Sequence, residues 1–281
     1  MKSRIITGLV GLVIVIAWLF SMYTPIFSIA LSIVAAIGVF ETLKAFEVKN
    51  PVFRVICIIL SLLVPMYFEY KDKVSVPLFP VITVIILVSL MIMVLDFKNL
   101  KFEQVACSLF TAVFIPCALS CIILFRDVYK TFPDAYIKTD GIFFILFAFF
   151  CCWLSDTFAY FVGRKFGKHK LAPVISPKKT IEGAIGGVIC TAALNVILFF
   201  VFKTRFNLSD SISIITVILS SCVLSVISIF GDLTASTIKR HHNIKDFGNL
   251  LPGHGGVMDR FDSSCFVFPA LYAIISVLNA I

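Results

Sequence analysis

Long apolar stretches dominate the sequence and constrain its fold more than any other feature. Hydrophobic residues fill 60% of the 281 positions and charged residues 14%, whereas a soluble domain carries about 25% charged residues. A helix that crosses a bilayer needs about 20 mostly apolar residues. Nine windows meet that requirement: 5–23, 25–43, 52–68, 76–95, 105–125, 141–162, 181–202, 211–231 and 263–280. The sequence therefore predicts an all-α, polytopic integral membrane protein with about nine transmembrane helices.

The polar segments are too short to form a separate soluble domain. The longest, 232–262, could not bury an independent core without metals or disulfides. The nine cysteines lie within or beside apolar runs and show no zinc-binding spacing. We therefore expect one membrane domain over 1–281, in which 1–140 supplies the first five helices and 141–281 supplies helices six to nine with the catalytic cytoplasmic loops.

The distribution of basic residues predicts the orientation in the membrane. Of the 24 Lys and Arg residues, 17 lie in the N-terminal segment and in or at the edges of the even-numbered loops between the windows, and seven lie in the odd-numbered loops. Because cytoplasmic loops are enriched in Lys and Arg, the N-terminus is predicted to be cytoplasmic. The formal net charge of +8 is explained in the same way, so we expect no nucleic-acid partner. The predicted location is a cell membrane, typically a bacterial inner membrane, with the active site facing the cytoplasm.

The last cytoplasmic segment carries one candidate group of catalytic side chains. If the helix of window 211–231 continues past its end, Asp232, Ser236 and Lys239 lie on one face at positions i, i+4 and i+7. A carboxylate and a hydroxyl offer hard oxygen ligands for Mg²⁺, and an ammonium group binds phosphate oxygens. The alternative is an interfacial helix with solvated charges, which this pattern alone leaves open.

A glycine-rich turn follows in the same segment. Residues 252–256 contain three glycines, whose backbone N–H groups can approach an anion closely. His254 lies within this turn, and Asp259 and Asp262 follow it. His241 and His242 are adjacent, point in different directions on a helix, and are predicted to be interfacial.

A second polar region extends over 156–187. Asp156 lies in the window 141–162, and an ionisable residue in a membrane helix is a functional candidate by default. The alternative is a structural ion pair between Asp156 and Arg164. Lys178 and Lys179 are predicted at the start of the helix of window 181–202, where the helix N-terminus would attract phosphate. Simple anchoring of these lysines at the membrane surface is an equal alternative.

The segment 236–262 resembles the signature of the phosphatidate cytidylyltransferases, also called CDP-diacylglycerol synthases, without departure from its pattern. The matching positions are Ser236, Lys239, Arg240, Lys245, Asp246, Gly248, Leu251, Pro252, His254, Gly255, Gly256, Asp259, Arg260 and Asp262. The segments 155–164 and 176–183 are similar to stretches found in the wider class of CTP-using membrane enzymes. This resemblance brings both polar regions into one predicted site.

The resemblance implies that CTP and phosphatidate from the bilayer react to give CDP-diacylglycerol and pyrophosphate. It implies Mg²⁺ as cofactor, and it is compatible with a second cation and with a homodimer. Asp232, Asp259 and Asp262 are the expected metal ligands; Asp232, Asp259, Ser236 and Lys239 are the expected catalytic residues. Residues expected to bind CTP or the lipid headgroup are Asp156, Lys178, Lys179, Arg240, Lys245, His254 and Arg260.

Two alternative functions account for the sequence less well. A CTP-dependent polyprenol kinase would direct an alcohol to the γ-phosphorus, and it would need an activated hydroxyl; the complete signature favours the cytidylyltransferase. A transporter would carry paired interrupted helices in two halves, whereas the charges of the candidate site all lie in the C-terminal half.

Overall fold

The computed structural model describes residues 11, 17–250, 253 and 255–280. Within these residues, eight helices are long and apolar enough to cross a membrane. Each coincides with one of the last eight predicted windows, which confirms a polytopic, essentially all-α membrane protein. Most of the first window, 5–23, lies outside the described residues.

Where the structure describes the N-terminal half of the chain, at residues 11 and 17–140, its regular elements are all helices. Its described helices are α1 (Pro25–Ala45), α2 (Pro51–Tyr70), α3 (Leu78–Leu95), α4 (Phe102–Arg126) and α5 (Val128–Thr131). Proline occupies the first position of α1 and of α2, where its missing N–H costs no hydrogen bond. The starts of α1 and α2 therefore follow directly from local sequence.

The C-terminal half contains a π-helical turn and a two-stranded hairpin in addition to α-helices. Its elements are α6 (Lys138–Phe149), a π-helical turn (Phe150–Leu154), α7 (Ser155–Phe166), β1 (Lys170–Ala172), β2 (Ser176–Thr180), α8 (Ile181–Arg205), α9 (Ile214–His241), α10 (Met258–Phe261) and α11 (Ser264–Leu278). The two strands form an antiparallel hairpin that pairs Lys170 with Thr180 and Ala172 with Ser176.

Three details of the sequence prediction are corrected here. The window 141–162 is not one continuous α-helix, since the π-helical turn separates α6 from α7. Lys178 and Lys179 lie on β2 rather than at the start of a helix, because α8 begins only at Ile181. The helix of window 211–231 extends past the end of that window to His241, because polar residues beyond an apolar stretch can still complete helical hydrogen bonds.

The chain forms two compact, discontinuous units. The first comprises Met1–Ser120 with His241–Arg260, and the second Cys121–Arg240 with Phe261–Ile281. In the first unit, α1 buries one face at intervals of four residues, through Phe27, Leu31, Ala35, Val39 and Leu43. By contrast, Ser89 is the one buried residue of α3, so the apolar surface of α3 is suited to face lipid.

Candidate active site

The π-helical turn leads directly to the first acidic residue of the site. Ser155 begins α7 and is fully buried, and Asp156 follows in the first turn with a half-exposed carboxylate. Such π-helical insertions are frequent at functional sites, because they redirect the side chains that follow. On the turn itself, the Cys151 thiol contacts the Nδ2 atom of Asn195 at 3.3 Å, which ties the turn to α8.

Close packing of α7 against α8 fixes the position of Asp156 relative to β2. A Cβ atom at Gly183 would lie 2.6 Å from the carbonyl oxygen of Ala159, and one at Gly187 would lie 2.8 Å from that of Ser155. Both glycines are therefore required by backbone-to-backbone contact, and their small-xxx-small spacing is typical of closely packed membrane helices. The Thr180 hydroxyl caps α8 by accepting from Gly183 N at 3.2 Å.

We expect Gly183→Ala to destabilise the protein by about 1–3 kcal/mol, since the added methyl group overpacks a backbone contact. Gly38→Ala is the matched control, because its Cβ would meet Ile115 at an ordinary 3.6 Å. Thermal unfolding in detergent measures both variants. A melting temperature for Gly183→Ala equal to that of Gly38→Ala would show that the α7–α8 contact is looser than described.

Lys179 is the centre of the acidic cluster in the second unit. Side chains alternate along β2, so Lys178 is exposed while the neighbouring Lys179 points inward. The Lys179 ammonium forms an ion pair with Asp232 and lies 3.6 Å from Oδ1 of Asp156. Burial works against its charged form, but Asp156, Asp232 and Asp262 together raise the Lys179 pKa above its ordinary value. Lys179 is therefore protonated at neutral pH.

Helix α9 and the turn after α10 present the remaining groups of this cluster. Because α9 continues to His241, the predicted alignment of Asp232, Ser236 and Lys239 on one helical face is confirmed. Asp262 is 7% exposed, and its carboxylate interacts electrostatically with those of Asp232 and Asp156 and with Lys239. Gly231 allows this approach, since a Cβ there would lie 2.9 Å from the Cα of Ser263.

The cluster offers the ligand chemistry that Mg²⁺ prefers. Asp156, Asp232 and Asp262 supply carboxylate oxygens, which are hard ligands for a hard cation. In the described part of the chain, no three acidic, histidine or cysteine side chains are arranged around one metal position. The Lys179 ammonium itself lies between two of the carboxylates. The donor set therefore suits a divalent cation, and the protein's own lysine supplies part of the balancing charge.

The glycine-rich turn belongs to the first unit, where it binds side chains of the protein itself. Gly253 and Gly255 have φ values of 77° and 81°, which other residues rarely adopt. Oδ2 of Asp259 accepts hydrogen bonds from Phe247 N at 2.9 Å and Gly256 N at 3.0 Å. The sequence analysis predicted that the backbone N–H groups of this turn approach an anion. For Gly256, the group bound is the carboxylate of Asp259.

Sequence reasoning missed one acidic residue of the first unit. Glu41 lies near the end of α1 and is 5% exposed; its carboxylate accepts from Val257 N at 3.0 Å and Met258 N at 2.8 Å. The rule that singled out Asp156, an ionisable residue within an apolar helix, applies equally to Glu41 in the window 25–43. Its partner is over 200 residues away in the sequence, so no local pattern identifies it.

The other predicted site residues that the structure describes are mostly exposed. Lys178, Lys245 and Arg260 are exposed; Arg240 is exposed too, and its Nε donates to the Ile175 carbonyl at 3.4 Å. His254 lies outside the described residues. Asp232 belongs to the second unit and Asp259 to the first, so their convergence on one metal ion stays a prediction.

Arg164 was the sequence alternative as ion-pair partner of Asp156. Its Nη1 instead contacts the Tyr160 hydroxyl at 3.5 Å, while Asp156 interacts with Lys179. The ionic contact of Asp156 thus joins two elements of the site, α7 and β2, rather than two turns of one helix.

These features define a class: a polytopic membrane protein with a lysine-centred carboxylate cluster suited to phosphate and cation chemistry. The chain matches the cytidylyltransferase family over residues 2–278. It is 31% identical to the phosphatidate cytidylyltransferase of Bacillus subtilis (strain 168), in an alignment that covers 99% of both chains. The chain belongs to the cytidylyltransferase family.

Relatives from staphylococci are more similar over a shorter part of the chain. The phosphatidate cytidylyltransferase of Staphylococcus haemolyticus is 50% identical and that of Staphylococcus aureus (strain COL) 44% identical, each over 134 residues. Both alignments cover 48% of this chain and 49% of the relative. In these two comparisons the matched part of the chain thus spans about half the length of the curated relatives.

Proposed function

We propose that the protein is a phosphatidate cytidylyltransferase, which converts CTP and phosphatidate into CDP-diacylglycerol and pyrophosphate. The observation that carries this proposal is the cluster of Asp156, Asp232 and Asp262 around Lys179, in a membrane chain of this family. Such a cluster combines groups for binding cations with a cation for binding phosphates. Asp156 and Asp232 lie on helices long and apolar enough to cross a membrane, and we infer that phosphatidate reaches them laterally without leaving the bilayer.

The chemistry requires charge neutralisation more than proton transfer. A phosphate oxygen of phosphatidate attacks the α-phosphorus of CTP, a new P–O bond forms, and the bond to the pyrophosphate oxygen breaks. The second pKa of a phosphate monoester is about 6, so the nucleophile is largely ionised at neutral pH. The site must hold two polyanions together and stabilise the negative charge that develops on the leaving pyrophosphate.

The residues of the second unit divide this task between them. Asp232, Asp262 and Asp156 would hold Mg²⁺, which when bound neutralises charge on the triphosphate and the leaving group. Lys179 and Lys239 would donate to phosphate oxygens, and the Ser236 hydroxyl would orient a phosphate. We include Asp259 among the metal ligands by resemblance to the family signature.

The exposed basic residues would bind the outer parts of the substrates. Lys178, Arg240, Lys245 and Arg260 are exposed on the two polar segments and would contact CTP phosphates or the lipid headgroup. His254 is assigned the same role by resemblance.

Product analysis tests the proposal directly. Purified protein in detergent is supplied with phosphatidate, Mg²⁺ and either CTP or ATP. We expect CDP-diacylglycerol from CTP, far lower turnover with ATP, and loss of turnover in excess chelator. A phosphorylated alcohol as the sole product with an alcohol acceptor, or full activity in chelator, would contradict the assignment.

We also propose that both polar segments face the cytoplasm, because 17 of the 24 basic residues lie on that side of the predicted topology. Cysteines introduced at Lys168 and Lys245 should react with a membrane-impermeant maleimide only after cells are opened. A cysteine at Asp134, in a predicted outer loop, should react in intact cells. The native cysteines require a parallel measurement on the unmodified chain. Labelling of either inner position in intact cells would refute the orientation.

A further inference from the structure

The signature loop, residues 247–259 of which 251, 252 and 254 are outside the described residues, contacts a carboxylate from a distant helix. Glu41 of α1 receives two consecutive backbone N–H groups, those of Val257 and Met258, one on each carboxylate oxygen. These amides lie at the start of α10, the short helix that carries Asp259. The bidentate contact therefore fixes the backbone immediately before Asp259.

Two glycines of the loop, Gly248 and Gly256, lie directly against this carboxylate. A Cβ atom at Gly248 would collide with Oε1 of Glu41, and a Cβ at Gly256 would collide with both of its carboxylate oxygens. Two glycines of the family signature are thus explained by the approach of a side chain from α1. Within the same loop, Asp259 receives the amides of Phe247 and Gly256.

Two carboxylates consequently lie close together in a buried setting. Glu41 is 5% and Asp259 8% exposed, and the two repel each other electrostatically. Such an arrangement is costly unless each carboxylate is well hydrogen-bonded. Because four backbone amides satisfy the pair, the acids and the loop stabilise one conformation together.

We propose that Glu41 is a positioning residue, which holds the backbone of Val257 and Met258 so that Asp259 has a fixed orientation in the reaction. The proposal rests on the proposed function, in which Asp259 takes part. A glutamine at position 41 has one acceptor oxygen and presents an NH₂ group to the other amide. It therefore removes one of the two contacts while preserving the size of the side chain.

Glu41→Gln is tested against Glu47→Gln, an identical change at an exposed site six residues later. Hydrogen exchange in the intact protein should accelerate at the amides of Val257 and Met258 in Glu41→Gln alone, while α11 is unchanged. We expect kcat to fall about tenfold, the scale of one hydrogen bond to a charged group. The KM for CTP should change less than threefold, because the contact orients Asp259 rather than binding the nucleotide.

Gly256→Ala disturbs the same contact from the loop side and leaves the charge of Glu41 in place. It should reproduce both the faster exchange and the lower kcat, and the double variant should lose less than the product of the single losses. This variant also decides the matter if Glu41→Gln fails to fold. Unchanged exchange, a normal kcat in Gly256→Ala, or fully multiplicative losses would overturn the proposal. The exchange measurement is independent of turnover, so a parent protein without cytidylyltransferase activity refutes the proposed function separately.

Discussion

Asp232→Asn is expected to lower kcat by at least about a hundredfold, the scale of losing one strong electrostatic contact in a transition state. The Asp232 carboxylate forms an ion pair with Lys179 and shares a helical face with Ser236 and Lys239. An amide has nearly the same shape but no charge to bind a cation or balance the lysine. The protein should therefore insert and fold normally while turnover collapses.

Initial rates with saturating CTP and phosphatidate measure this effect, and the elution profile in detergent reports folding. Lys98→Gln is the control, since Lys98 is exposed in a short loop distant in sequence from both polar segments. It should keep the parent rate. Near-parent turnover of folded Asp232→Asn would remove Asp232 from the catalytic site.

Lys179→Met is expected to lower kcat/KM by a comparable factor, about a hundredfold. The substitution preserves most of the aliphatic stem but removes the ammonium that balances Asp156 and Asp232. Two carboxylates would then lie together without their lysine, and one donor to the substrate phosphates would be missing. Lys179→Arg should recover part of the loss, because the positive charge is retained.

Lys178→Met provides the adjacent comparison on the same strand. Lys178 is exposed, and its side chain projects from the opposite face of β2. We expect Lys178→Met to raise KM a few-fold through weaker substrate binding and to change kcat little. Equal losses from both substitutions would mean that total basic charge, rather than the position of Lys179, determines the rate.

The positions of the membrane-spanning helices could be predicted from hydropathy because lipid imposes one dominant rule. A spanning segment must satisfy its own backbone hydrogen bonds, so apolar windows of sufficient length become helices. The eight described helices match their windows for that reason. The end of α9 was placed too early, since hydropathy reports where the apolar surface ends and not where helical hydrogen bonding ends.

The local chemistry of the site was predictable where the spacing was helical. Asp232, Ser236 and Lys239 share a face because four- and three-residue steps return to the same side of a helix. The pairing of Lys179 with Asp156 and Asp232 could not be predicted from the sequence, because it depends on a short hairpin and on a π-helical turn. Neither element has a strong signal in composition or periodicity.

Glu41 shows most clearly what cannot be predicted from the sequence. Its partners are the backbone amides of Val257 and Met258. Every residue except proline has such an amide, so the sequence does not mark these two as partners. A lone glutamate in an apolar window can be recognised as exceptional. Its role follows only from the tertiary contact.

The central claim is that a phosphatidate oxygen attacks the α-phosphorus of CTP. Phosphatidate carrying oxygen-18 at the non-ester positions of its phosphate tests this claim most directly, with both products analysed by mass spectrometry. Direct attack retains all of the label in CDP-diacylglycerol, including the oxygen that bridges the two phosphorus atoms, and leaves the pyrophosphate unlabelled. Label in the pyrophosphate, or CDP with a phosphorylated lipid in place of CDP-diacylglycerol, would contradict the claim.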